Sequence, residues 1–500
     1  MGRLRYVSSV WLFVYVVSTF GLAVYGLNSL YLTWRYRRVG TVRHPAPPSR
    51  SPMVTVQLPL FNELNVVERL LERVLEFDYP PQRLVVQVLD DSDDGTSAFV
   101  DELLVALGPR ETLAAGVGEA ALYRRADGLL VQHVRRGERT GFKAGALALG
   151  MTLSLTDLYA VFDADFVPPR DFLGRTVGHF ADPSVGFVQA RWSHLNRGDS
   201  LLTRLQAMAI DAHFVVEQQS RFGSGLLFNF NGAGGIWRRS CIEAAGGWSD
   251  DTLTEDLDLS YRAQLAGWRG VFDTAVAVPG EVPADMNALK GQQFRWAKGS
   301  VQTALKLLPR VLRAPFSVSL KVEAVVHLFG YLVHPFLLGL LVSAAFLVGD
   351  FPAGLSWPAA GTAVAVGPPL LVITGQRHLY PDWRRRILLL PLLVMLGTGI
   401  AVVGSRAVGE ALFRVRSGFV RTPKRGEGPA RAEYRAVVGM TPLVELGAVA
   451  VACYALVGAL HAGRFSAVPF LALYAAAFGF VFVHSLASAF RSLRAVTSGR

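Results

Sequence analysis

The sequence predicts an α/β domain with a largely parallel sheet, set between apolar helices long enough to cross a bilayer. Three observations lead there. The 500 residues are 51% hydrophobic with a mean hydropathy of +0.33, yet the apolar residues crowd at the N-terminus and beyond about residue 320. The stretch between them has ordinary globular composition and is long enough for one sizeable domain. Inside it, short apolar runs alternate with runs of helical periodicity, the pattern of a sheet covered by helices on both faces.

The elements follow in chain order. Val7 to Leu32 is apolar and uncharged, too long for a signal-peptide core and sufficient for a spanning anchor. Arg35, Arg37, Arg38 and Arg43 outweigh Arg3 and Arg5, which places the C-terminal side of that helix in the cytoplasm. Pro45, Pro47, Pro48 and Pro52 exclude helix and strand, so a linker follows. Met53 to Leu58 reads as a buried strand. Val66, Val67, Leu70, Leu71, Val74 and Leu75 fall at helical spacing. Leu84 to Leu89 and Leu158 to Phe162 read as two further strands, the first ending in Asp90-Asp91 and the second in Asp163. In open α/β sheets ligands bind beyond such strand ends.

After about residue 317 the candidate spans are 321–349, 357–376, 387–405, 441–461 and 466–488. Five crossings would put the basic stretch from Arg406 to Arg435 outside, against the positive-inside rule. Residues 387–405, interrupted by Pro391 and Gly397, are therefore expected to be interfacial or re-entrant. The expected division is an anchor helix over 1–35, a linker over 36–52, a cytosolic α/β domain with interfacial helices over 53–316, and a transmembrane and interfacial region over 317–500.

The net charge is +11 and the pI about 9.8. Much of this charge flanks apolar segments, as at Arg384, Arg385 and Arg386 and again at Arg414, Arg416, Arg421, Lys424 and Arg425. That placement fits a membrane face and lipids, and with no recognition motif beside it nucleic-acid binding is not expected. Cys241 and Cys453 are far apart and form neither a disulfide framework nor a metal cluster.

Four short motifs carry candidate chemistry. Asp163-Ala164-Asp165 puts two carboxylates at a strand end, where they suit one hard divalent cation, Mg²⁺ or Mn²⁺, bridging to a diphosphate; a capping or loop triplet looks the same in isolation. Asp90-Asp91-Ser92-Asp93-Asp94-Gly95 is either an acidic turn or a carboxylate aimed at a nucleoside. It lacks the spacing and closing Glu of a calcium loop. In Thr254-Glu255-Asp256, Thr254 fits a helix N-cap with acids in the first turn, and a carboxylate there fits a general base for a sugar hydroxyl. Gln292-Gln293-Phe294-Arg295-Trp296 offers a guanidinium for a diphosphate and an indole for a sugar ring, or else an interfacial aromatic beside a snorkelling Arg.

Taken in order, these motifs resemble the D, DxD, TED and QxxRW signature of the membrane-bound family-2 glycosyltransferases, which include cellulose, hyaluronan and mannan synthases. Gln57-Leu58-Pro59-Leu60-Phe61-Asn62-Glu63, Gly141-Phe142-Lys143-Ala144-Gly145, Val188-Gln189-Ala190-Arg191-Trp192 and Asn229-Phe230-Asn231-Gly232 extend the likeness. They look most like the plant cellulose-synthase-like A and C branch, closely over about residues 50–310. The resemblance implies a GT-A-like nucleotide-sugar-binding domain joined to an α-helical transmembrane domain. It implies that Asp91, or alternatively Asp90, binds the nucleoside, that Glu63 contacts the base, and that Lys143 contacts the nucleotide. Asp163 and Asp165 look like the diphosphate-metal pair, with Asp165 the direct ligand. Asp256, beside Glu255, looks like the general base. Gln292, Arg295 and Trp296 would frame acceptor and diphosphate, and the Asn231-Gly232 loop would let a glycan approach the backbone. Phe419-Val420-Arg421-Thr422-Pro423-Lys424 resembles the FxVTxK gating loop, with Phe419, Thr422 and Lys424 matching and Arg421 standing where Val is usual; a basic lipid-binding segment is the other reading.

The implied activity is inverting, processive synthesis of a β-linked, β-1,4 by resemblance, glucan, mannan or glucomannan from UDP-glucose or GDP-mannose. The growing polysaccharide is the acceptor and leaves through the membrane, the bacterial inner membrane on this reading, with any envelope export partner unspecified. The runner-up is a non-processive transferase that places one sugar on a polyprenyl phosphate or similar lipid. A transporter or receptor would explain the spans but not the ordered carboxylates.

Overall fold

The computed structural model describes every residue except 1, 41–44, 46–47, 49, 114–117, 349–356, 418–420, 425, 427–430, 432–440 and 498–500. Phe419 and Arg425, and part of the expected linker, lie outside the described residues.

The expected strands and first helix form where the apolar runs placed them. Strand β1 is Val54–Leu60, the helix Val67–Leu75 follows, β2 is Leu84–Asp90 and β6 is Leu158–Val161. Between and after them come β3 (Arg110–Leu113), β4 (Glu119–Arg124), β5 (Leu130–Arg135), β7 (Val185–His194), β8 (Gly235–Arg238) and β9 (Arg269–Gly280). The sheet order is β3-β4-β5-β2-β1-β6-β8-β7-β9. Only its centre, β5-β2-β1-β6, is continuously parallel. Antiparallel pairings flank it on both sides, through β3-β4-β5 and β6-β8-β7, and β9 then pairs parallel with β7. The sheet is therefore mixed, which corrects the expectation of a largely parallel one. On one side the reason is local: β3, β4 and β5 follow one another through short connections with no crossover helix, which only antiparallel neighbours permit. On the other, β8 enters between β6 and β7 after the helical segment 201–223 and runs antiparallel to both.

Alternation along the strands sorts side chains into two cores. Leu158, Ala160 and Phe162 enter one, with Val54, Val56 and Leu58 and the helix residues Leu70, Leu71 and Val74. Tyr159 and Val161 enter the other, with Leu147, Met151 and Trp237. Burying both faces lets the central strands be nearly uniformly apolar, so their carboxyl ends are the first place where polar side chains emerge. Among the exceptions are three glutamines in register, Gln57 and Gln87 buried and Gln132 half-buried: Gln57 Nε2 donates to Gln87 Oε1 at 3.0 Å, and Gln87 Nε2 to Gln132 Oε1 at 2.7 Å. They hold β1, β2 and β5 in one alignment.

Two helical pieces then roof the strand ends. Leu201–Ala212, opened by a capping box at Ser200, runs on through a wide π-helical stretch, His213–Gln218, into Gln219–Gly223. The amphipathic helix Met286–Arg313 starts at Asp285, whose side chain accepts from Asn287 N at 2.9 Å.

Five helices among the described residues are long and apolar enough to cross a membrane: Ser9–Tyr36, Gly330–Leu347, Trp383–Leu412, Pro442–His461 and Val468–Phe490. They mark a membrane protein. The expected span 321–349 is divided instead, into Val318–Leu328 and Val333–Leu347 with a tight turn at Gly330–Leu332. Trp383–Leu412 qualifies by length and composition, but a 3₁₀ turn at Ile387–Leu389 and the non-α Ile400 interrupt it. Its second half, Ala401–Leu412, packs against Met286–Arg313.

Candidate functional site

The carboxyl ends of β1, β2 and β6 open into a cleft of about 230 Å³. Each expected residue can be located against it. Glu63, Asp91, Lys143, Asp163, Asp165, Asn231, Gly232, Glu255, Asp256, Gln292, Arg295, Trp296, Thr422 and Lys424 line the cleft. Asp90 does not. Its carboxylate lies behind the wall, accepting from Ser92 N at 2.9 Å, Ser97 Oγ at 2.5 Å and His133 Nε2 at 3.1 Å. Although burial opposes ionisation, those donors hold its pKa below the usual carboxylate range. Of the two candidates for the nucleoside contact, Asp91 is the one that faces the cleft.

Asp91 has a partner that no motif announced. Parallel pairing sets Asp90 opposite Arg135, so Arg136 arrives beside Asp91. Its Nε donates to Asp91 Oδ1 at 2.7 Å and its Nη2 closes on Oδ2. Arg139 lies over the Phe61 ring, 3.3 Å from its centroid, and 3.9 Å from Asp91. These two arginines could be found in the sequence only by recognising β5, which lacks the uniform apolar run of its neighbours.

The middle of the cleft is a cluster of charge. Lys143, in the first turn of the helix Phe142–Leu153, donates to Asp163 Oδ1 at 2.6 Å and to Gly232 O at 2.9 Å, and stands 3.7 Å from Glu255. Burial favours its neutral form, but Asp163, Glu255 and Asp256 together push its pKa up. Asp165 is buried, which raises its pKa, while Lys424 Nζ at 2.5 Å works the other way.

Asp256 sits in the first turn of Glu255–Leu265, with Leu257 N donating to Oδ1 at 2.8 Å. Thr254 gives no side-chain cap to this helix; its Oγ1 lies 3.3 Å from that of Thr303. Burial, then the neighbouring Glu255, raise the Asp256 pKa, and Lys143 opposes them. Two glycines make this geometry possible. Gly232 has φ +80°, and a Cβ there would stand 3.1 Å from Asp256 Oδ2. At Gly299 a Cβ would come within 2.6 Å of Thr254 Cγ2, so glycine lets Met286–Arg313 lie directly on the base of the Asp256 helix. Gln292, Arg295 and Trp296 share one face of that helix by their i, i+3, i+4 spacing, and all three reach the cleft. Burial lowers the Arg295 pKa to about 10 against the pull of Asp163 and Glu255.

The segment 421–424 closes one side of the cleft with three contacts. Arg421 pairs with Glu63 through Nε–Oε1 at 2.9 Å and Nη2–Oε2 at 2.5 Å. Thr422 Oγ1 accepts from Arg295 Nη2 at 2.7 Å, and Lys424 holds Asp165. Burial lifts the Glu63 pKa to about 7 even with Arg421 and Lys424 beside it. Lys298, one turn beyond Arg295, fastens the chain at 415–417: its Nζ donates to Val415 O at 2.7 Å, Ser417 Oγ at 2.6 Å and Glu410 Oε2 at 3.0 Å. The departure from the gating-loop pattern, Arg421, thus makes the most specific of the contacts.

With the geometry in place, comparison with known proteins adds the family. Residues 51–299 match the family described as glycosyltransferase like family 2. They are a glycosyltransferase family 2 domain. The resemblance read from the motifs is borne out. Among curated proteins, the domain is similar to a probable glucomannan 4-beta-mannosyltransferase 7 of Oryza sativa subsp. japonica, 42% identical over 267 residues, 53% of this chain and 43% of the relative. It is also similar to glucomannan 4-beta-mannosyltransferases 7 and 9 of Arabidopsis thaliana, each 38% identical, over 53% and 52% of this chain and 45% and 46% of theirs. The chain thus aligns over less than half the length of these curated relatives. Among solved structures, it is similar to the mannosyltransferase PcManGT from Pyrobaculum calidifontis in complex with GDP-Man and Mn²⁺, with a TM-score of 0.52, 22% identity and coverage of 80% of this chain and 99% of that one. This likeness shows the fold: the family 2 domain is GT-A-like, with apolar helices added on its C-terminal side.

Proposed function

We propose that this protein is an inverting hexosyltransferase that extends a β-linked, mannose-containing polysaccharide from a nucleotide-sugar. The observation that carries the reading is the juxtaposition of Asp256, Lys143, Asp163 and Arg295 in one cleft floored by Gly232. A single displacement needs a base on one side of the sugar carbon and a charge sink on the other. Asp256 removes the proton of the acceptor hydroxyl as its oxygen attacks C1, and the nucleotide diphosphate departs from the opposite face with inversion. Arg295 and Lys143 hold the departing diphosphate by charge-assisted hydrogen bonds. Asp91 and Glu63 take the nucleoside end, and Asn231, Trp296 and the Gly232 loop take the acceptor.

Asp163 and Asp165 fit Mg²⁺ or Mn²⁺. Both are hard oxygen donors on the cleft wall, and each already holds an ammonium group, from Lys143 at 2.6 Å and Lys424 at 2.5 Å. Among the described residues no group of three or more His, Cys, Asp or Glu gathers as a metal cage, so two carboxylates are the protein's contribution. When bound, the cation supplies neutralisation of the diphosphate charge.

GDP-mannose is the favoured donor, because the curated relatives are mannosyltransferases by name; UDP-glucose is the alternative. The segment 421–424 is the gating segment of this cleft, and the domain faces the cytoplasm, where nucleotide-sugars are made. The reading of processive growth and export of the chain is supported by QxxRW lying on the helix that precedes the C-terminal apolar helices. Incubating the purified protein in lipid with Mn²⁺ or Mg²⁺ and each donor tests this. The reading requires nucleotide diphosphate release with a long alkali-stable polymer. A single lipid-linked sugar would replace the polymerase with the polyprenyl-type transferase.

A further inference from the structure

A second cavity of about 710 Å³ lies among the helices, bounded in part by Tyr15, Val372, Thr398 and Tyr474. The helix Leu201–Ala212 and the π-helical stretch after it form the wall between this cavity and the cleft: Ile210 faces the cleft, whereas Ala209, His213 and Glu217 face the cavity. Wide turns of this kind concentrate at functional sites. Here the turn carries a polar relay across the wall. Glu217 Oε2 stands 2.9 Å from His213 Nδ1, and His213 Nε2 stands 3.2 Å from Asn231 Nδ2, the cleft residue beside Gly232.

The roles in this relay fix one another. Glu217 Oε1 already accepts from Arg221 Nε at 3.3 Å, and beside that guanidinium the carboxylate accepts from His213 as well. His213 Nδ1 then carries the proton and Nε2 offers a lone pair, which Asn231 must meet with an N–H. Gln218 enforces the same orientation from the other side, donating to Asn231 Oδ1 at 2.6 Å. The Asn231 backbone N–H is taken by Gln189 Oε1 at 2.7 Å. The carboxamide is therefore held by its neighbours with its second N–H and one Oδ1 lone pair left for the cleft. A donor and an acceptor side by side are the complement of a sugar hydroxyl, which is both.

We propose that His213 and Glu217 are positioning residues for the acceptor glycan, orienting Asn231 so that its carboxamide grips a hydroxyl of the acceptor where the cleft adjoins the inter-helix cavity. This rests on the glycosyl-transfer reading above and deepens it. Neither residue touches the reacting atoms; both act through Asn231. The side-chain geometry supplies a discriminating pair of variants. In His213→Gln the amide oxygen comes to the place of Nε2 and accepts from Asn231, whereas in His213→Asn the shorter side chain reaches only the place of Nδ1.

The test uses the full chain in lipid nanodiscs with Mn²⁺, GDP-mannose and added mannohexaose. Three quantities are read: the KM for acceptor, the KM for donor, and hydrolysis of donor without acceptor. His213→Ala is expected to raise the acceptor KM about tenfold, the loss of one well-placed hydrogen bond, with donor KM and hydrolysis unchanged. His213→Gln is expected to restore it and His213→Asn is not, at equal thermal stability. An unchanged acceptor KM in His213→Ala, a parallel rise in donor KM, or equal behaviour of the Gln and Asn variants overturns the proposal. If the unaltered protein hydrolyses neither GDP-mannose nor UDP-glucose, the transfer reading itself fails, and this inference with it.

Discussion

The two ends of the cleft are built from different chemistry. At the end proposed to take the donor, Glu63, Asp91, Asp163 and Asp165 each face a cation: Arg421, Arg136, Lys143 and Lys424. At the end proposed to take the acceptor stand an amide, a glycine loop and indoles: Asn231, Gly232, Trp192 and Trp296. Trp192 is held edge-on to Phe166 at 5.1 Å and donates to Ala233 O at 3.0 Å, so its plane is fixed. A nucleotide diphosphate brings charge, and a site for it must be rich in groups that exchange partners. A glycan brings hydroxyls and flat apolar faces, and a site for it must hold neutral groups still. The charged end is therefore the part expected to rearrange during turnover, and the neutral end the part expected to stay as it is. Asp256 lies where the two meet.

The sharpest way to break this comparison is at the meeting point. Asp256→Asn keeps the shape and removes the base, so turnover should fall about 10²- to 10⁴-fold while donor KM stays within about twofold. Nucleotide diphosphate release and donor titration measure the two separately. Retained polymer synthesis would remove Asp256 from the mechanism. The same residue sets a pH dependence. A base works ionised, and a carboxyl whose pKa is raised ionises only at higher pH, so kcat/KM should fall as pH drops through neutrality, above the ordinary carboxylate range. Glu63, lifted to about 7, titrates in the same window. The residual activity of Asp256→Asn should have a flatter acid limb.

The donor end should be sensitive to cations next. Asp165→Asn removes a carboxylate from the expected Mg²⁺ or Mn²⁺ pair and leaves Lys424 without its partner. Loss of metal-assisted charge neutralisation is worth several kcal/mol, so kcat/KM should drop by about 10²-fold or more, and chelation with EDTA should reproduce the loss in the unaltered protein. Full activity in EDTA would mean that Lys143 and Lys424 alone serve the diphosphate.

Gly232→Ala tests the junction from the neutral side. A φ of +80° is strained for alanine by about 1–2 kcal/mol, and the new methyl would press on Asp256 Oδ2 from 3.1 Å. Turnover should fall about tenfold with a small loss of thermal stability. An undiminished rate would show that the loop shifts freely and does not set the position of Asp256.

How much of this was legible in the sequence depends on how local each feature is. β1, β2 and β6 were readable because both of their faces are buried, which makes each a plain apolar run. The carboxylates at their ends were readable for the same reason, since the first polar residue after such a run marks the strand end. β3 to β5 alternate or are short, and without them Arg136 and Arg139 had no address. Thr254 fitted a cap by sequence but is turned toward Thr303, because Gly299 brings a helix some 45 residues later in the chain onto it. The His213–Glu217–Asn231 relay was illegible for a different reason: a π-helical turn leaves no period in the sequence, and its partner lies on another element. Arg421 was visible as a departure from a pattern, but its meaning required knowing that Glu63 lies opposite.

That pair gives the smallest and most informative expected effect. Arg421 holds both oxygens of Glu63, a carboxylate assigned above to the nucleoside end. Donor entry must then exchange one partner for another, and the apparent affinity is reduced by the fraction of molecules in which the pair is closed. Arg421→Val, which supplies the residue usual in the gating pattern, leaves Thr422 and Lys424 their contacts with Arg295 and Asp165. It should lower the donor KM about three- to fivefold, as molecules otherwise held in the closed pair become competent for the donor, with kcat little changed. The converse variant, Glu63→Gln, loses the pair and the carboxylate together, so it should raise donor KM instead. If both substitutions raise it equally, Arg421 contributes to the bound state itself, and the charged end of the cleft is less free to exchange partners than its crowding of opposite charges implies.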